Sequence, residues 1–140
     1  MLQTEDFVLE LSKSDYMLFL RHPAWLWLKR NDPTKLPGIP PSAQHRVDEG
    51  YEFEEFAEQL FSSAKKIGFK DVGEYNTMLS RTSGAWSSGA HCVIQGKYQF
   101  GEITCITDIL EDDGDGYVLT EIKSSSSAKP DHELDLAFQR

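Results

Sequence analysis

Residues 102–125 read EITCITDILEDDGDGYVLTEIKSS, and this stretch decides the fold of the chain. Two runs rich in apolar and β-branched residues flank the Asp- and Gly-rich segment 112–116, a composition typical of a β-hairpin. A similar run precedes them, with Gly101 at the intervening turn. The pattern therefore predicts three antiparallel strands in a meander, over residues 91–100, 102–111 and 116–124.

Helical patterns lie on both sides of this meander. Ser12 and Ser14 precede a predicted helix in which Asp15 occupies the first turn. Pro23 suits either the first turn of a second helix or a break within one longer helix. These segments give a predicted N-terminal helical region over residues 1–30, followed by a proline-rich loop at residues 31–41.

The remaining helices are predicted from apolar spacings of three and four residues. This spacing predicts a long helix over residues 42–68 that ends at Gly68. A shorter helix is predicted at residues 76–81, and a last one begins at Asp131 within the segment 91–140, which holds the sheet core. The order of elements indicates an α/β or α+β protein with one mixed sheet flanked by helices.

Composition restricts the class of protein. The chain has 140 residues, of which 39% are hydrophobic, and this suits a single domain over residues 1–140. No apolar run approaches the roughly 20 residues that a membrane-spanning helix needs, so no membrane partner is expected. The first ten residues include Glu5, Asp6 and Glu10, the wrong charge for a secretory signal. Two cysteines are too few for a disulfide framework, which favours a cytoplasmic location.

The formal net charge of −9 is unevenly distributed. Residues 1–70 carry 9 basic and 11 acidic side chains, a net of −2, whereas residues 71–140 carry 5 and 12, a net of −7. Simple electrostatic binding of nucleic acid requires a basic surface, and the second half offers the opposite. The acidic residues form either a metal site or a solvated surface.

Several simpler motifs do not fit the sequence. The acidic segment at residues 111–116 matches no register of an EF-hand loop, and its composition favours a plain hairpin turn. No glycine-rich phosphate loop and no Gly-x-Ser-x-Gly elbow is present. Cys92 and Cys105 lie on neighbouring predicted strands, where we expect small buried thiols.

One group of charged residues remains. If the hairpin turn is centred on the peptide bond after Asp113, Asp108 lies opposite Leu119 and diagonal to Glu121. Alternating side chains then place Glu121 and Lys123 on the same face as Asp108. Diagonal neighbours lie about 7–8 Å apart, close enough for two carboxylates to share one divalent cation.

This arrangement suits the hydrolysis of phosphodiester bonds. Carboxylate oxygens are hard ligands that hold Mg²⁺ or Mn²⁺, and such an ion activates water and neutralises phosphate charge. Lys123 would orient the attacking water or stabilise the developing negative charge. The alternative is an exposed ion pair of Glu121 and Lys123, because Glu and Lys two positions apart on a strand often form one.

The same residues carry a family resemblance. The segments TDIL at residues 107–110 and TEIKSS at residues 120–125 resemble the core motif of the PD-(D/E)XK nuclease superfamily, in its RecB-like branch. The segments LSKS at residues 11–14 and HPAWLWL at residues 22–28 resemble the N-terminal part of RecB-like and CRISPR-adaptation exonucleases.

Two further segments agree with this branch. GYEFE at residues 50–54 is similar to the helix in which a metal-binding histidine follows a glycine by about four positions. Asp135 and Gln139 are similar to the motif that follows the catalytic lysine. The resemblance implies a restriction-endonuclease-like core, cleavage of DNA and a requirement for Mg²⁺ or Mn²⁺.

The resemblance also implies a role for each matching residue. Lys123 would be the catalytic lysine, Gln139 would bind DNA or orient that lysine, and Asp108 and Glu121 would complete the catalytic set. The implied metal ligands are Asp108, Glu121, the main-chain carbonyl of Ile122, and Glu54 in the place of the family histidine. The alternative for Glu54 is an exposed acid on a helix rich in glutamate.

Two departures from the family pattern lead to further expectations. His22 stands where many relatives have a cysteine ligand, so we expect no iron–sulfur cluster. The family core contains another strand and helix after Gln139, and the chain ends within a predicted helix, so we expect a fragment whose partner is the rest of a larger polypeptide. The alternatives to a nuclease are a degenerate domain that binds nucleic acid or a partner protein, and a purely structural module.

Overall fold

A computed structural model describes residues 10–140. The expectations for residues 1–9, the absence of a secretory signal and the start of the helical region, lie outside these residues. The described helices are α1 (Lys13–Arg21), α2 (Pro23–Asn31), α3 (Pro41–Glu58), α4 (Val72–Ser87) and α5 (Pro130–Gln139). None of them combines the length and the apolar character needed to cross a lipid bilayer. The described strands are β1 (Leu11–Ser12), β2 (Lys65–Lys66), β3 (Cys92–Ile94), β4 (Lys97–Phe100), β5 (Ile103–Ile106), β6 (Ile109–Asp112) and β7 (Tyr117–Thr120).

The strands form two mixed sheets, where the sequence predicted a single one. One sheet has the order β2–β3–β6–β7 and the other has the order β1–β5–β4. In each sheet a short outer strand runs parallel to its neighbour, β2 to β3 and β1 to β5, and the other pairs are antiparallel. The mixed α and β composition agrees with the predicted α+β class.

The two sheets separate where one long hairpin bends. The first predicted strand is divided into β3 and β4, and the second is divided into β5 and β6. The register is continuous across the bend, with Ile94 opposite Ile109 on one side. At the bend Gln95 has a φ of 51° and its N–H donates to the carbonyl of Asp108 at 2.9 Å. Asp108 therefore lies at the corner between the two sheets.

The acidic segment forms a hairpin turn, as predicted. The carboxylate of Asp113 accepts hydrogen bonds from the N–H groups of Asp115 at 3.0 Å and Gly116 at 2.8 Å, and Asp112 accepts one from Gly114 at 2.9 Å. These carboxylates stabilise the turn, which is the usual role of Asp in such segments.

This turn shifts the strand register from the predicted one. Leu110, and not Asp108, lies opposite Leu119, because the loop is centred one residue later than predicted. Moving the loop centre by one residue moves the pairing partner of each residue by two positions. Because side chains alternate along a strand, a shift of two keeps each side chain on its predicted face. Extending the register by one pair beyond Ile109 sets Asp108 directly opposite Glu121, where the sequence predicted a diagonal neighbour.

One face of the four-stranded sheet carries the buried core, and this fixes which residues lie on the opposite face. Cys92, Ile94, Ile109 and Ile122 form a buried cluster, and Phe61 packs against it. Because Ile122 points into this cluster, its neighbours in the extended segment point to the opposite face. Cys92 is a buried thiol, as expected.

The N-terminal helices begin as predicted. Ser12 caps α1: its hydroxyl accepts from the N–H of Asp15 at 3.1 Å, and its own N–H donates to the Asp15 carboxylate at 3.2 Å. Pro23 occupies the first turn of α2. Asp15 is buried and forms ion pairs with Lys29 at 2.6 Å and Arg30 at 3.0 Å, which join α1 to α2.

The predicted long helix over residues 42–68 is confirmed up to Glu58 and wrong beyond it. Helix α3 ends at Glu58, and β2 follows it and pairs in parallel with β3, with Lys65 opposite Val93. The apolar residues Phe61 and Ala64, which suggested a continuing helix, instead pack against the core of the sheet. The burial that they gain there outweighs the helical pattern.

Helix α4 is longer than predicted, because it covers Val72–Ser87 where the pattern indicated residues 76–81. Asp71 caps it, since its carboxylate accepts from the N–H of Glu74 at 2.8 Å. The buried residues Met78, Thr82 and Ala85 recur at spacings of four and three, so α4 presents one face to the sheets.

Candidate functional site

The predicted catalytic residues Asp108, Glu121 and Lys123 line one cavity of about 890 Å³. Its wall contains residues of α1, α3 and α5 as well as the end of the β6–β7 hairpin. Glu54 of α3, predicted in place of the family histidine, lies on the same wall. The fold therefore brings these four residues to a common space.

Asp108 is held by the main chain of another predicted ligand. Its Oδ2 accepts a hydrogen bond from the N–H of Ile122 at 2.7 Å. This side-chain bond lies just past Ile109 and Thr120, the last pair of the β6–β7 ladder, and it fixes the Asp108 carboxylate beside the chain that carries Glu121 and Lys123.

The Glu121 carboxylate is almost completely buried, with 4% of its side chain exposed, and it accepts from three side chains. Lys123 Nζ lies 2.5 Å from Oε1, and Lys13 Nζ lies 3.2 Å from Oε1 and 3.3 Å from Oε2. Gln139 Nε2 donates to Oε2 at 3.0 Å. Glu121 is therefore part of a network: the pair with Lys123 that the alternative predicted is present, but its carboxylate is buried and not exposed.

Asp135 on α5 is the second carboxylate of this network. Its oxygens lie 2.9 Å from Lys123 Nζ and 3.0 Å from Lys13 Nζ, and Gln139 Nε2 donates to its Oδ1 at 3.0 Å. Burial alone would raise the pKa of Asp135, but the hydrogen bonds from the two lysines outweigh it and lower the pKa. Each lysine thus bridges Glu121 and Asp135.

Both lysines remain charged in this setting. Burial would lower the pKa of Lys123, but its hydrogen bonds to Glu121 and Asp135 have the larger combined effect and raise it. The pKa of Lys13 is also raised against the effect of burial, by the negative charge of Glu121 and by the hydrogen bond to Asp135.

Asp108 and Glu54 have an electrostatic environment opposite to that of Asp135. Burial and the negative charge of Glu121 raise the pKa of Asp108. Burial and the negative charge of Asp108 raise the pKa of Glu54. No ion pair is formed by Asp108 or Glu54 within the described part of the chain. Their negative charges are therefore poorly compensated by the protein itself.

The donor set has the chemistry that hard divalent cations prefer. Five carboxylates and three cationic side chains line the cavity, so with a neutral His132 its ionised wall carries a net charge of −2, the complement of one divalent ion. In residues 10–140, however, no three His, Cys, Asp or Glu side chains are gathered in a way that could hold a metal ion. In this arrangement, the Glu121 carboxylate forms ion pairs with Lys13 and Lys123.

The sequence did not identify Lys13 as a site residue. It lies 108 residues before Glu121 and comes to the site through long-range contacts, the pairing of β1 with β5 and the packing of α1 on β5 and α5. The sequence did contain a signal for Asp135, because its spacing of four from Gln139 places both side chains on one face of α5. That spacing matched a family motif, but no role was assigned to the carboxylate.

Other candidate residues lie outside this network. His22 caps α2, where its Nδ1 accepts from the N–H of Ala24 at 3.1 Å. Cys92 belongs to the core, and Cys105 is half-buried on β5. Burial raises the pKa of both thiols, which disfavours the thiolate form that binds metals.

Comparisons of the chain with protein-family models, with curated proteins and with solved structures give no match.

Proposed function

We propose that the chain is a metal-dependent nuclease that hydrolyses the phosphodiester bonds of DNA. The proposal rests on one observation: Asp108, Glu121 and Lys123 line a single cavity, with Lys123 hydrogen-bonded to Glu121. This is the set that the resemblance to RecB-like nucleases implies, and it is that resemblance which favours DNA as the substrate.

The residues that would hold Mg²⁺ or Mn²⁺ are Asp108, Glu121, the main-chain carbonyl of Ile122, and Glu54. When bound, the ion would supply Lewis acidity and lower the pKa of a coordinated water. Their donor chemistry and the residual charge of −2 support this assignment. Glu121 would exchange a lysine contact for the ion, because its oxygens accept from Lys13, Lys123 and Gln139 in the described arrangement.

Lys123 would act as a hydrogen-bond donor to the attacking water or to the phosphate oxygen on which negative charge develops. Its raised pKa keeps it protonated at neutral pH, so it suits charge stabilisation and does not suit the role of a general base. Gln139 would orient the centre, since its amide contacts both Glu121 and Asp135.

The test is a cleavage assay on the full chain with labelled single- and double-stranded DNA, in Mn²⁺, in Mg²⁺ and in EDTA. Cleavage that requires the ion and is lost in Asp108→Asn and Lys123→Met supports the proposal. Glu52→Gln is the matched control, because Glu52 is an exposed acid on the same helix as Glu54. Equal cleavage by the parent and Lys123→Met would overturn it.

A second candidate function is a catalytically degenerate domain that binds nucleic acid or a partner protein. The occupation of Glu121 by two lysines favours it, because those contacts compete with a metal ion. Fluorescence anisotropy with the same DNA separates the two functions: DNA binding that is independent of Mn²⁺, without cleavage, supports the degenerate domain.

A further inference from the structure

A second cavity, here called the β7 cavity, lies beside the candidate site. Its volume is about 480 Å³, far more than one buried water molecule needs. Side chains alternate along β7 and the extended segment after it, so Tyr117 and Leu119 of the cavity wall share a face with Glu121. Gln139 also lines the cavity, and its Nε2 donates to Glu121 in the candidate site at 3.0 Å. The β7 cavity therefore adjoins the candidate site.

The wall of the β7 cavity holds two buried polar atoms that form no hydrogen bond among residues 10–140. They are the hydroxyl of Thr107 and Oε1 of Gln139. Thr107 is only 3% exposed. Its hydroxyl lies near the phenol of Tyr98, but the two form no hydrogen bond of normal geometry. A buried polar atom without a partner costs free energy, so a ligand that supplies partners to both atoms gains affinity here.

The amide of Gln139 restricts which ligand fits. Its Nε2 is held by the carboxylates of Glu121 and Asp135, each with an oxygen at 3.0 Å. Oε1 is therefore the atom left for a ligand, and a carbonyl oxygen can only accept. The Thr107 hydroxyl can either donate or accept. A matching ligand presents a donor to Gln139 and a second polar atom to Thr107.

Apolar and aromatic side chains form most of the remaining wall. The apolar part comes from three leucines, Leu110, Leu119 and Leu136. The ring of Tyr117, which is 67% exposed, makes a T-shaped contact with Trp86, with centroids 5.7 Å apart. Arg140 is a charged residue of this wall, and no carboxylate side chain of residues 10–140 lines it, although the chain carries a net charge of −9. Such a wall suits a flat aromatic ring that stacks on an aromatic side chain.

We propose that the β7 cavity receives one unpaired base of the DNA strand whose phosphate lies at the candidate site. This inference rests on the proposed function and names single-stranded DNA as its substrate class. A nucleobase combines a flat ring with hydrogen-bonding groups at its edge, and the amino group of adenine, cytosine or guanine donates to Oε1 of Gln139. A base inside a duplex is paired and stacked, so only an unpaired base enters.

The test measures binding to the full chain by fluorescence anisotropy in EDTA, so that cleavage does not interfere. The probes are short labelled strands of abasic spacers that carry, at the centre, one adenine, one purine without the amino group, or no base. Thr107→Val replaces the hydroxyl with a methyl group, and Tyr117→Ala removes the exposed ring. The matched controls are Thr120→Val, on the opposite face of β7, and Phe100→Ala, which removes an 88% exposed ring of β4.

The adenine strand should bind the parent at least about tenfold more tightly than the strand without a base, with the purine strand in between. Thr107→Val and Tyr117→Ala should each weaken binding of the adenine strand several-fold, and the two controls should not. Thr107→Val should also be at least as stable to urea as the parent, because it removes a buried hydroxyl that has no partner among residues 10–140. Lower stability of Thr107→Val with an unchanged preference for adenine would assign the hydroxyl to the fold and overturn the inference.

Equal binding of the three strands by the parent would also overturn it, since a cavity that holds only water does not distinguish them. Free deoxyadenosine that binds as tightly as the adenine strand would contradict it as well, because the cavity would then serve a nucleoside and not DNA. The Mn²⁺-dependent cleavage assay on the same preparation separates the two proposals. Cleavage without a preference for adenine removes only the role of the β7 cavity, and a preference for adenine without cleavage removes only the nuclease.

Discussion

The carboxylate of Asp108 accepts a hydrogen bond of 2.7 Å from the main-chain N–H of Ile122. This contact connects the bend of the long hairpin to the segment that follows β7, and it sets Asp108 beside Glu121. The two carboxylates are thus neighbours, but their surroundings differ. Glu121 forms ion pairs with two lysines, whereas the Asp108 carboxylate, among residues 10–140, accepts only from the N–H of Ile122.

We expect neutral substitutions of these two acids to change stability in opposite directions. In EDTA at pH 7, Asp108→Asn should raise the melting temperature by a few degrees, because burial and Glu121 disfavour the ionised Asp108 and raise its pKa. Asparagine still accepts from Ile122. Glu121→Gln should cost about 2 kcal/mol, because Lys13 and Lys123 then share Asp135 alone.

Thermal and urea unfolding of the three proteins measure this difference. A raised carboxyl pKa in the folded state means that stability falls as the pH rises through that pKa, so the advantage of Asp108→Asn should shrink when the pH is lowered. Destabilisation by Asp108→Asn at pH 7 would show that its carboxylate is compensated by the protein.

The purified protein should be colourless, without the broad visible absorbance of an iron–sulfur centre. His22 caps α2 and Cys92 lies in the core, so neither is arranged as a cluster ligand. Chemical analysis of an anaerobic preparation for iron and acid-labile sulfide is the measurement. Stoichiometric amounts of both would contradict the expectation.

The hairpin and the helix caps were predictable because their signals are local. The Asp- and Gly-rich turn and the Ser12 cap each depend on residues within a few positions of one another. The set of Asp108, Glu121 and Lys123 was accessible for a related reason, since strand alternation survives an error of two residues in the register.

The parts of the fold and of the candidate site that the sequence did not predict depend on contacts between residues distant in the chain. Lys13 reaches Glu121 through the pairing of β1 with β5 and the packing of α1 on β5 and α5, and no spacing in the sequence encodes these contacts. The pairing of β2 with β3 was missed because β2 has only the two residues Lys65 and Lys66, too few to show the alternating pattern of a strand. The apolar residues before it fitted a helix equally well.

The ion pairs of Asp15 should make stability depend on acidic pH. Hydrogen bonds from Lys29, Ser12 and Arg30 outweigh burial and lower the pKa of Asp15 to about 2. A lowered carboxyl pKa contributes stability above the unfolded value, near 3.8, and this contribution is lost as the pH falls through about 2. Because Lys29 is partly exposed, we expect about 1–2 kcal/mol at pH 7.

Asp15→Asn should therefore be less stable than the parent at pH 7, and the difference should decrease between pH 4 and pH 2. Urea unfolding at a series of pH values measures it. Asp32→Asn is the control, because Asp32 forms an exposed pair with Lys35 and should have a much smaller effect. A difference for Asp15→Asn that does not change with pH would indicate lost packing and not lost charge.

Metal binding and catalysis at the candidate centre should depend on different residues. Glu121→Ala should weaken Mn²⁺ binding strongly, because carboxylates are the ligands that this hard cation prefers. Lys123→Ala should bind Mn²⁺ at least as tightly as the parent, since it removes an ammonium group that lies 2.5 Å from Oε1 of Glu121 and competes with the ion. Both changes should abolish DNA cleavage, the first by loss of the ion and the second by loss of the donor to water or phosphate.

Calorimetric titration with Mn²⁺ and a cleavage assay on the same three proteins test this, with Lys35→Ala as the control for a lost surface charge. Unchanged Mn²⁺ affinity in Glu121→Ala would mean that Glu121 serves only the network with Lys13, Lys123 and Asp135, and the nuclease proposal would then fail.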